Sequence, residues 1–265
     1  MYAFAYHRPS SVSDAVAALA AAPDAKLLAG GQTLLPTMKQ RLAAPADIID
    51  LGKLADLRGI RVEGDNLVIG AMSKHGDVAD SADVLRLLPS LASLANRIGD
   101  PAVRNRGTIG GSIANYDPAA DYPAACLALG ATIVTNTRSI PAHDFFKGLF
   151  ETALEEGEMI TKVIFPATAH GRYEKFRNPA SRYAVVGVFV VKAPDGVRVA
   201  VTGAGASGAF RATAFEEALS HDFSAKALEG HDISPDNLNS DIHADAAYRA
   251  HLIKVMTKRA VAAIG

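Results

Sequence analysis

Ala29-Gly30-Gly31-Gln32-Thr33 and Thr108-Ile109-Gly110-Gly111-Ser112 are the two stretches that decide how this chain is read. Adjacent glycines let the backbone take positive φ and let a ligand approach closely. Successive N–H groups in such a loop form a concavity suited to a phosphate. The neutral hydroxyls of Thr33 and Ser112 can add hydrogen bonds. Two loops of this kind in one domain suit a pyrophosphate, with one loop on each side. Gly-Gly also makes ordinary tight turns, and the residues alone leave both readings open.

The second stretch has charged neighbours. Arg104 and Arg106 precede it, and Asp117 and Asp121 follow it. A carboxylate there can accept from ribose hydroxyls or an adenine amino group. The arginines either face phosphates or are solvated surface. A third glycine run, Gly203-Ala-Gly205-Ala-Ser-Gly208, fits the G-x-G-x-x-G spacing. A dinucleotide fingerprint also needs a second parallel strand with an acidic end about twenty residues on. Residues 220–229 are not strand-like, so this run is expected to be a glycine-rich strand end near an interface.

Working outward, the pattern predicts a helix over 11–22, capped by Ser11 or Ser13 and stopped by Pro23. A short buried strand follows at 25–29, a helix begins near Pro36, and another strand covers 48–51. Ile60–Val62 and Leu67–Ile69 flank Gly64-Asp65-Asn66, a hairpin signal. Leucines at 85, 88, 91 and 94 predict one helix over 83–95. A Gly-rich loop is expected at 107–112, a helix at 119–129, and strands at 132–134 and 159–165. Ala167–Gly171 is read as a linker. Beyond it lie strands at 173–176, 183–192 and 197–202, then helices at 212–220 and 244–263. Pro194 and Gly196 mark the turn between the last two strands.

The bulk numbers exclude several classes. The 265 residues are 49% hydrophobic and 21% charged, with a formal net charge of -1. A packed globular chain of two ordinary domains is expected. Nucleic acid binding needs clustered Lys and Arg and is not expected. Met1–Pro9 lacks a basic leader and an apolar core, and no apolar run is long enough to span a bilayer. A cytoplasmic location is expected. Cys126 is the single cysteine and reads as a buried inert thiol. One thiol cannot hold an iron-sulfur cluster, which normally takes four. The eight histidines are scattered, with no metal-ligand spacing, and no G-x-S-x-G is present. No catalytic residue and no metal site are expected, and nothing around His7 supports a covalent flavin link.

Phe4-Ala-Tyr-His-Arg-Pro9, Leu28-Ala-Gly-Gly-Gln-Thr-Leu-Leu-Pro36-Thr-Met-Lys39 and Thr108-Ile-Gly-Gly-Ser-Ile-Ala-Asn115-Tyr-Asp-Pro-Ala-Ala-Asp121 together resemble the FAD-binding medium subunit of molybdenum hydroxylases. Val199–Gly205 with Phe210-Arg-Ala resembles that family's C-terminal domain, so the likeness covers almost the whole chain. The resemblance implies an α+β fold: an FAD-binding domain of the vanillyl-alcohol oxidase type over 1–168, with subdomains at about 1–55 and 56–168. A small C-terminal α+β domain, an antiparallel sheet with helices, then covers 172–265. It implies that Ala29, Gly30, Gly31, Gln32 and Thr33 on one side, and Thr108, Gly110, Gly111 and Ser112 on the other, embrace the pyrophosphate of noncovalent FAD. Asp121 matches the family aspartate near the adenosine. Ile98, Ile160 and Arg177 fall at apolar and basic flavin neighbours, Arg177 where some relatives have Lys. Tyr183 matches an aromatic position that shields the isoalloxazine.

The resemblance also implies an electron-transfer role. Electrons would pass from a molybdenum cofactor on a large subunit, through [2Fe-2S] clusters on a small subunit, to the flavin and then to a quinone or NAD. The complex would be a dimer of heterotrimers, cytoplasmic or peripheral to the inner face of the membrane. The N-terminal run and Asp117–Asp121 look most like the aerobic carbon monoxide dehydrogenase branch; a xanthine or aldehyde dehydrogenase of the same architecture is the alternative. The hydroxybenzoyl-CoA reductase subgroup, with a cluster in this subunit, is excluded by the lone Cys126. A stand-alone flavin oxidoreductase would need its own substrate pocket with a titrating pair, and the segment after residue 170 offers none. A flavin-free scaffold would have no use for intact glycine loops.

Overall fold

The computed structural model describes residues 1–167 and 170–265. Among the described residues the strands form sheets of three, five, four and two strands. The N-terminal lobe contains β1 (Ala5–His7), α1 (Val12–Ala21), β2 (Lys26–Leu28), α2 (Leu34–Lys39) and β3 (Asp47–Asp50). β3 is central and parallel to both neighbours, with Ile48 opposite Tyr6 and Ile49 opposite Leu27. The Ser11 hydroxyl accepts from Asp14 N and so satisfies one of the orphan amides that begin α1. Ala15, Ala25 and Ile49 pack with Leu51, Leu54 and Leu57 into a core that also takes in Met72 and Met159.

The central lobe begins with β4 (Ile60–Glu63) and β5 (Asn66–Gly70). Glu63 pairs with Asn66, which leaves Gly64-Asp65 as the turn, with Gly64 at φ +58. Four short helices follow: α3 (His75–Asp80), α4 (Ala82–Leu87), α5 (Pro89–Asn96) and α6 (Pro101–Arg104). Then come α7 (Ile109–Asn115), α8 (Tyr122–Leu129), β6 (Thr132–Thr135), β7 (Ser139–Pro141), the short α9 (Ala142–Phe145), the hairpin β8 (Phe146–Gly148) and β9 (Glu151–Thr152), and β10 (Ile160–Pro166). β10 is the spine of the five-stranded sheet, whose order is β4-β5-β10-β6-β7. Its Val163 pairs with Ile69 on one side and Ile133 on the other.

The C-terminal lobe is an antiparallel sheet of β11 (His170–Arg177), β12 (Ala184–Ala193), β13 (Gly196–Thr202) and β14 (Phe210–Arg211), with helices α10 (Thr213–His221) and α11 (Ala246–Ile264). β12 is an almost unbroken apolar run because both its faces are covered. Val186, Val188 and Val190 face the core made with α10 and α11. Phe189 and Val191 face the other way and join the core of the central lobe. The period of two in a strand sorts the side chains between these two cores.

Four sequence expectations change. The helix expected over 83–95 is split, because Ser81 caps α4 and the residue before Pro89 is pushed out of the helical region: Leu88 has φ -136 and ψ 64. The helix expected from Pro36 begins two residues earlier, with Pro36 inside the first turn, where no amide is needed. The stretch expected as a loop at 107–112 turns helical at Ile109. Of the linker expected at 167–171, Thr168 and Ala169 lie outside the described residues, and His170 and Gly171 are already in β11. The β1 strand, α3, α6 and β7–β9 carry no strong pattern and were not expected.

Candidate functional site

A cavity of about 740 Å³ opens where the three lobes meet. That volume lies within the roughly 300–1,000 Å³ range of small-molecule and cofactor sites. Ala29, Gly30, Gly31, Gln32 and Thr33 line it from the N-terminal lobe, and Thr108, Gly110, Gly111 and Ser112 from the central lobe. Ile98, Asp121, Ile160 and Tyr183 also line it.

The two glycine stretches lie against each other. A methyl group on Gly30 would sit 2.2 Å from the Arg106 carbonyl oxygen and 2.7 Å from Gly107 Cα. One on Gly110 would sit 2.6 Å from the Ala71 methyl. Gly111 is roomier, with Thr108 Oγ1 at 3.0 Å and Ala29 Cβ at 3.4 Å from the same position. Glycine is thus required at Gly30 and Gly110 for packing, whereas at Gly111 it keeps the cavity wall open.

The stretches differ in what they offer an anion. Gly31 has φ +74, and among the described residues no acceptor takes the N–H of Gly30, Gly31, Gln32 or Thr33. These consecutive free amides at the cavity wall form the kind of nest that holds a phosphate. Around the second stretch the expectation of free amides fails. Thr108 Oγ1 caps α7 by accepting from Gly111 N, Ile109 N donates to Ser73 O, Gly110 N to Ala71 O and Ser112 N to Thr108 O. Gly110 and Gly111 lie in the helix and have no positive φ. This side supplies a close backbone approach and hydroxyls. Lys26 and Arg182 line the cavity as cations. Of the two arginines left open between phosphate and surface, Arg104 donates to the carbonyls of Ile98 and Gly99, and Arg106 is exposed.

Asp121 begins α8, yet its side chain caps nothing. Both its oxygens are engaged: Lys175 Nζ lies 2.8 Å from Oδ1 and 3.0 Å from Oδ2, and the Tyr173 hydroxyl donates to Oδ1. Burial pushes the Asp121 carboxyl up, and Lys175 and Tyr173 pull it back. Gly187 makes this possible, because a methyl there would sit 2.3 Å from the Tyr173 hydroxyl. The pair was legible in one respect: residues 173 and 175 share a strand face. Arg177, two residues on, does not follow them. The β11–β12 register shifts between Phe176 and Arg177, and Arg177 lies exposed, outside the cavity lining. The basic residue of β11 that reaches this region is therefore Lys175.

Asp117 also lines the cavity, with Oδ1 accepting from Ala119 N. Burial, then the Asp117 and Asp121 carboxylates, push the Tyr183 hydroxyl up, and all three residues line the cavity. Sequence reasoning also passed over His75, one lone histidine among eight. It lines the cavity, it is 5% exposed, and its Nδ1 has no partner among the described residues. Burial first, then the Arg104 charge, hold it at about 4, so the imidazole is neutral. The third glycine run is a lobe junction: Gly203 N donates to Pro118 O, and the Tyr116 hydroxyl accepts from Ala209 N.

Residues 2–168 match the family described as FAD binding domain in molybdopterin dehydrogenase. The chain belongs to that family. It is 40% identical to the carbon monoxide dehydrogenase medium chain of Hydrogenophaga pseudoflava, over 97% of this chain and 96% of that one. It is 34% identical to the nicotine 6-hydroxylase medium subunit of Paenarthrobacter nicotinovorans, over 99% and 98%. Its fold superposes on a chain of the carbon monoxide dehydrogenase structure from Hydrogenophaga pseudoflava with a TM-score of 0.90 and 39% identity, covering 99% and 97% of the two chains. The α+β fold expected from sequence is that of this family, and the chain is an oxidoreductase subunit of the molybdenum hydroxylase type. No described helix is long and apolar enough to cross a membrane.

Proposed function

We propose that the chain holds FAD noncovalently in this cavity and passes electrons between partner subunits and an outside acceptor. The observation that carries the reading is the run of free amides from Gly30 to Thr33, set against the backbone of Arg106 and Gly107. The residues present fit the group. Gly30, Gly31, Gln32 and Thr33, with Ala29, take the pyrophosphate from one side, and the hydroxyls of Thr108 and Ser112 beside Gly110 and Gly111 take it from the other. Ile98 and Ile160 give apolar walls, Tyr183 covers the ring, and Asp121, held by Lys175 and Tyr173, stands by the adenosine. When bound, a flavin supplies reversible one- and two-electron exchange, which the protein orients and tunes.

The same reading keeps a flavin domain over 1–168, with subdomains about 1–55 and 56–168, and a C-terminal domain over 172–265. Its support is the apolar cluster that β12 and β13 form with α10 and α11 on one face, and the N-terminal cluster, which borrows Leu57, Met72 and Met159 from the central lobe. The partners are a large subunit with the molybdenum cofactor and a small subunit with [2Fe-2S] clusters, in a dimer of heterotrimers. The lone Cys126 supports this division of labour, being buried and its thiol pushed far up by burial. The acceptor is a quinone or NAD, and the complex works in the cytoplasm, either free or peripheral to the inner membrane face. Carbon monoxide is the proposed substrate, on the strength of Asp117–Asp121 and the 40% relative.

Acid precipitation of the purified chain should release all its yellow colour as FAD. Colour left in the pellet contradicts noncovalent binding. Carbon monoxide given to the native three-subunit complex should bleach the flavin. Bleaching by xanthine or an aldehyde instead would overturn the substrate and leave the electron-transfer role standing.

A further inference from the structure

Phe150 sits at the tip of the β8–β9 hairpin and lines the cavity. In the β8–β9 hairpin Gly148 pairs with Glu151, so Leu149 and Phe150 are the two residues of the turn. Phe150 has φ +54, backbone that favours glycine and that a bulky side chain rarely adopts. The hairpin base is anchored, since the Phe146 ring packs 4.6 Å from the Tyr116 ring and 5.3 Å from the Phe145 ring. The tip is not buried: Phe150 is 56% exposed. It nevertheless lines the cavity, together with Met159, Ile160 and Tyr183. Strained residues that burial does not reward gather at functional sites. A half-exposed aromatic face on the wall of a cavity suits a flat, apolar, conjugated ligand.

We propose that Phe150 is a cofactor-binding residue whose ring packs against the flavin ring and shields it from water. The inference rests on the FAD reading above. Phe150 lines the cavity while remaining half-exposed, and the bound flavin supplies the apolar contact that the protein itself withholds. Tyr183, between β11 and β12, belongs to a different lobe, so two lobes each bring an aromatic to the cavity.

The test uses the full chain loaded with FAD. Phe150→Ala removes the ring and keeps the turn. Phe150→Gly removes the ring and relieves the backbone, and Phe150→Tyr keeps a ring. Affinity and iodide quenching of flavin emission are read for each, and the FAD-free proteins are melted. An aromatic contact of this kind is worth roughly three- to tenfold in affinity. Ala and Gly variants should both lose about that much and quench more readily, while the Tyr variant stays within about twofold. The Gly variant should melt at or above the Ala variant, so that its loss of FAD cannot be blamed on unfolding. Wild-type affinity and quenching in the Ala and Gly variants would overturn the inference, and so would a loss shared by the Tyr variant. A wild-type chain that takes up no FAD would instead sink the functional reading itself.

Discussion

Lys175 Nζ lies 2.8 Å from Asp121 Oδ1, and the two side chains are 2% and 5% exposed. This ion pair joins β11 of the C-terminal lobe to the start of α8 at the cavity. Removing one partner of a buried pair strands the other charge, typically at about 3–5 kcal/mol. Asp121→Ala should therefore lower the melting temperature of the FAD-free chain, as well as weakening FAD. Asp121→Ala with Lys175→Met should recover much of the stability but not the affinity. If Asp121→Ala weakens FAD with no change in FAD-free melting, the carboxylate acts on the cofactor directly.

Tyr173 reaches Asp121 only because residue 187 has no side chain. A methyl at Gly187 would meet the hydroxyl at 2.3 Å and the ring carbon behind it at 3.0 Å. Gly187→Ala should thus destabilise the chain, by about 1–3 kcal/mol for overpacking. Adding Tyr173→Phe removes the atom in closest conflict and should restore part of the loss. A double variant no more stable than Gly187→Ala would place the conflict elsewhere, at Thr202 Cγ2, 2.8 Å from the same methyl.

Gly30 and Gly111 should behave oppositely. The Gly30 methyl position runs into backbone, so Gly30→Ala must part the two glycine stretches and should lower stability and FAD affinity together. At Gly111 a methyl meets only side chains, Thr108 Oγ1 at 3.0 Å and Ala29 Cβ at 3.4 Å, which can give way, and Gly111 lies within α7 at the cavity wall. Gly111→Asp should keep the melting temperature within a few degrees yet abolish FAD binding, by placing a carboxylate where phosphate must sit. Full flavin occupancy in Gly111→Asp would show that the pyrophosphate lies elsewhere.

The motif stretches were legible because close backbone approach demands glycine, and composition records that demand directly. Which amides stay free was not. That depends on α7 starting at Ile109 and capping itself with Thr108, so the second stretch spends its N–H groups internally. The strands of the C-terminal lobe were legible from apolar runs and the Pro194–Gly196 turn. Arg177 misled because a register shift beside Phe176 carries no mark in the residues. His75 and Phe150 were invisible, since one histidine or one aromatic has no spacing to read; only the fold brings them to the cavity.

His75 makes stability depend on pH in a defined window. Its ring sits 5.5 Å from that of Tyr122, and its usual value of 6.5 falls to about 4 in the folded chain. The unfolded chain therefore binds a proton below about pH 6.5 that the folded chain refuses until about pH 4. Where the unfolded state binds more protons, stability rises with pH. Stability from this group is thus complete above pH 6.5 and is lost as pH falls toward 4, by at most about 3 kcal/mol. Glu158 acts in a lower window, because its bonds to Arg138, Thr135 and Thr137 and to the Glu155 amide hold it at about 2 against 4.5. His75→Phe keeps an aromatic ring and cannot titrate. Denaturation of the two proteins at pH 7.5, 6 and 4.5 should show the wild type losing more stability than His75→Phe across that range, with no difference in slope above pH 7. Parallel losses in the two proteins would mean that His75 is protonated in the folded chain and that its buried Nδ1 finds a partner.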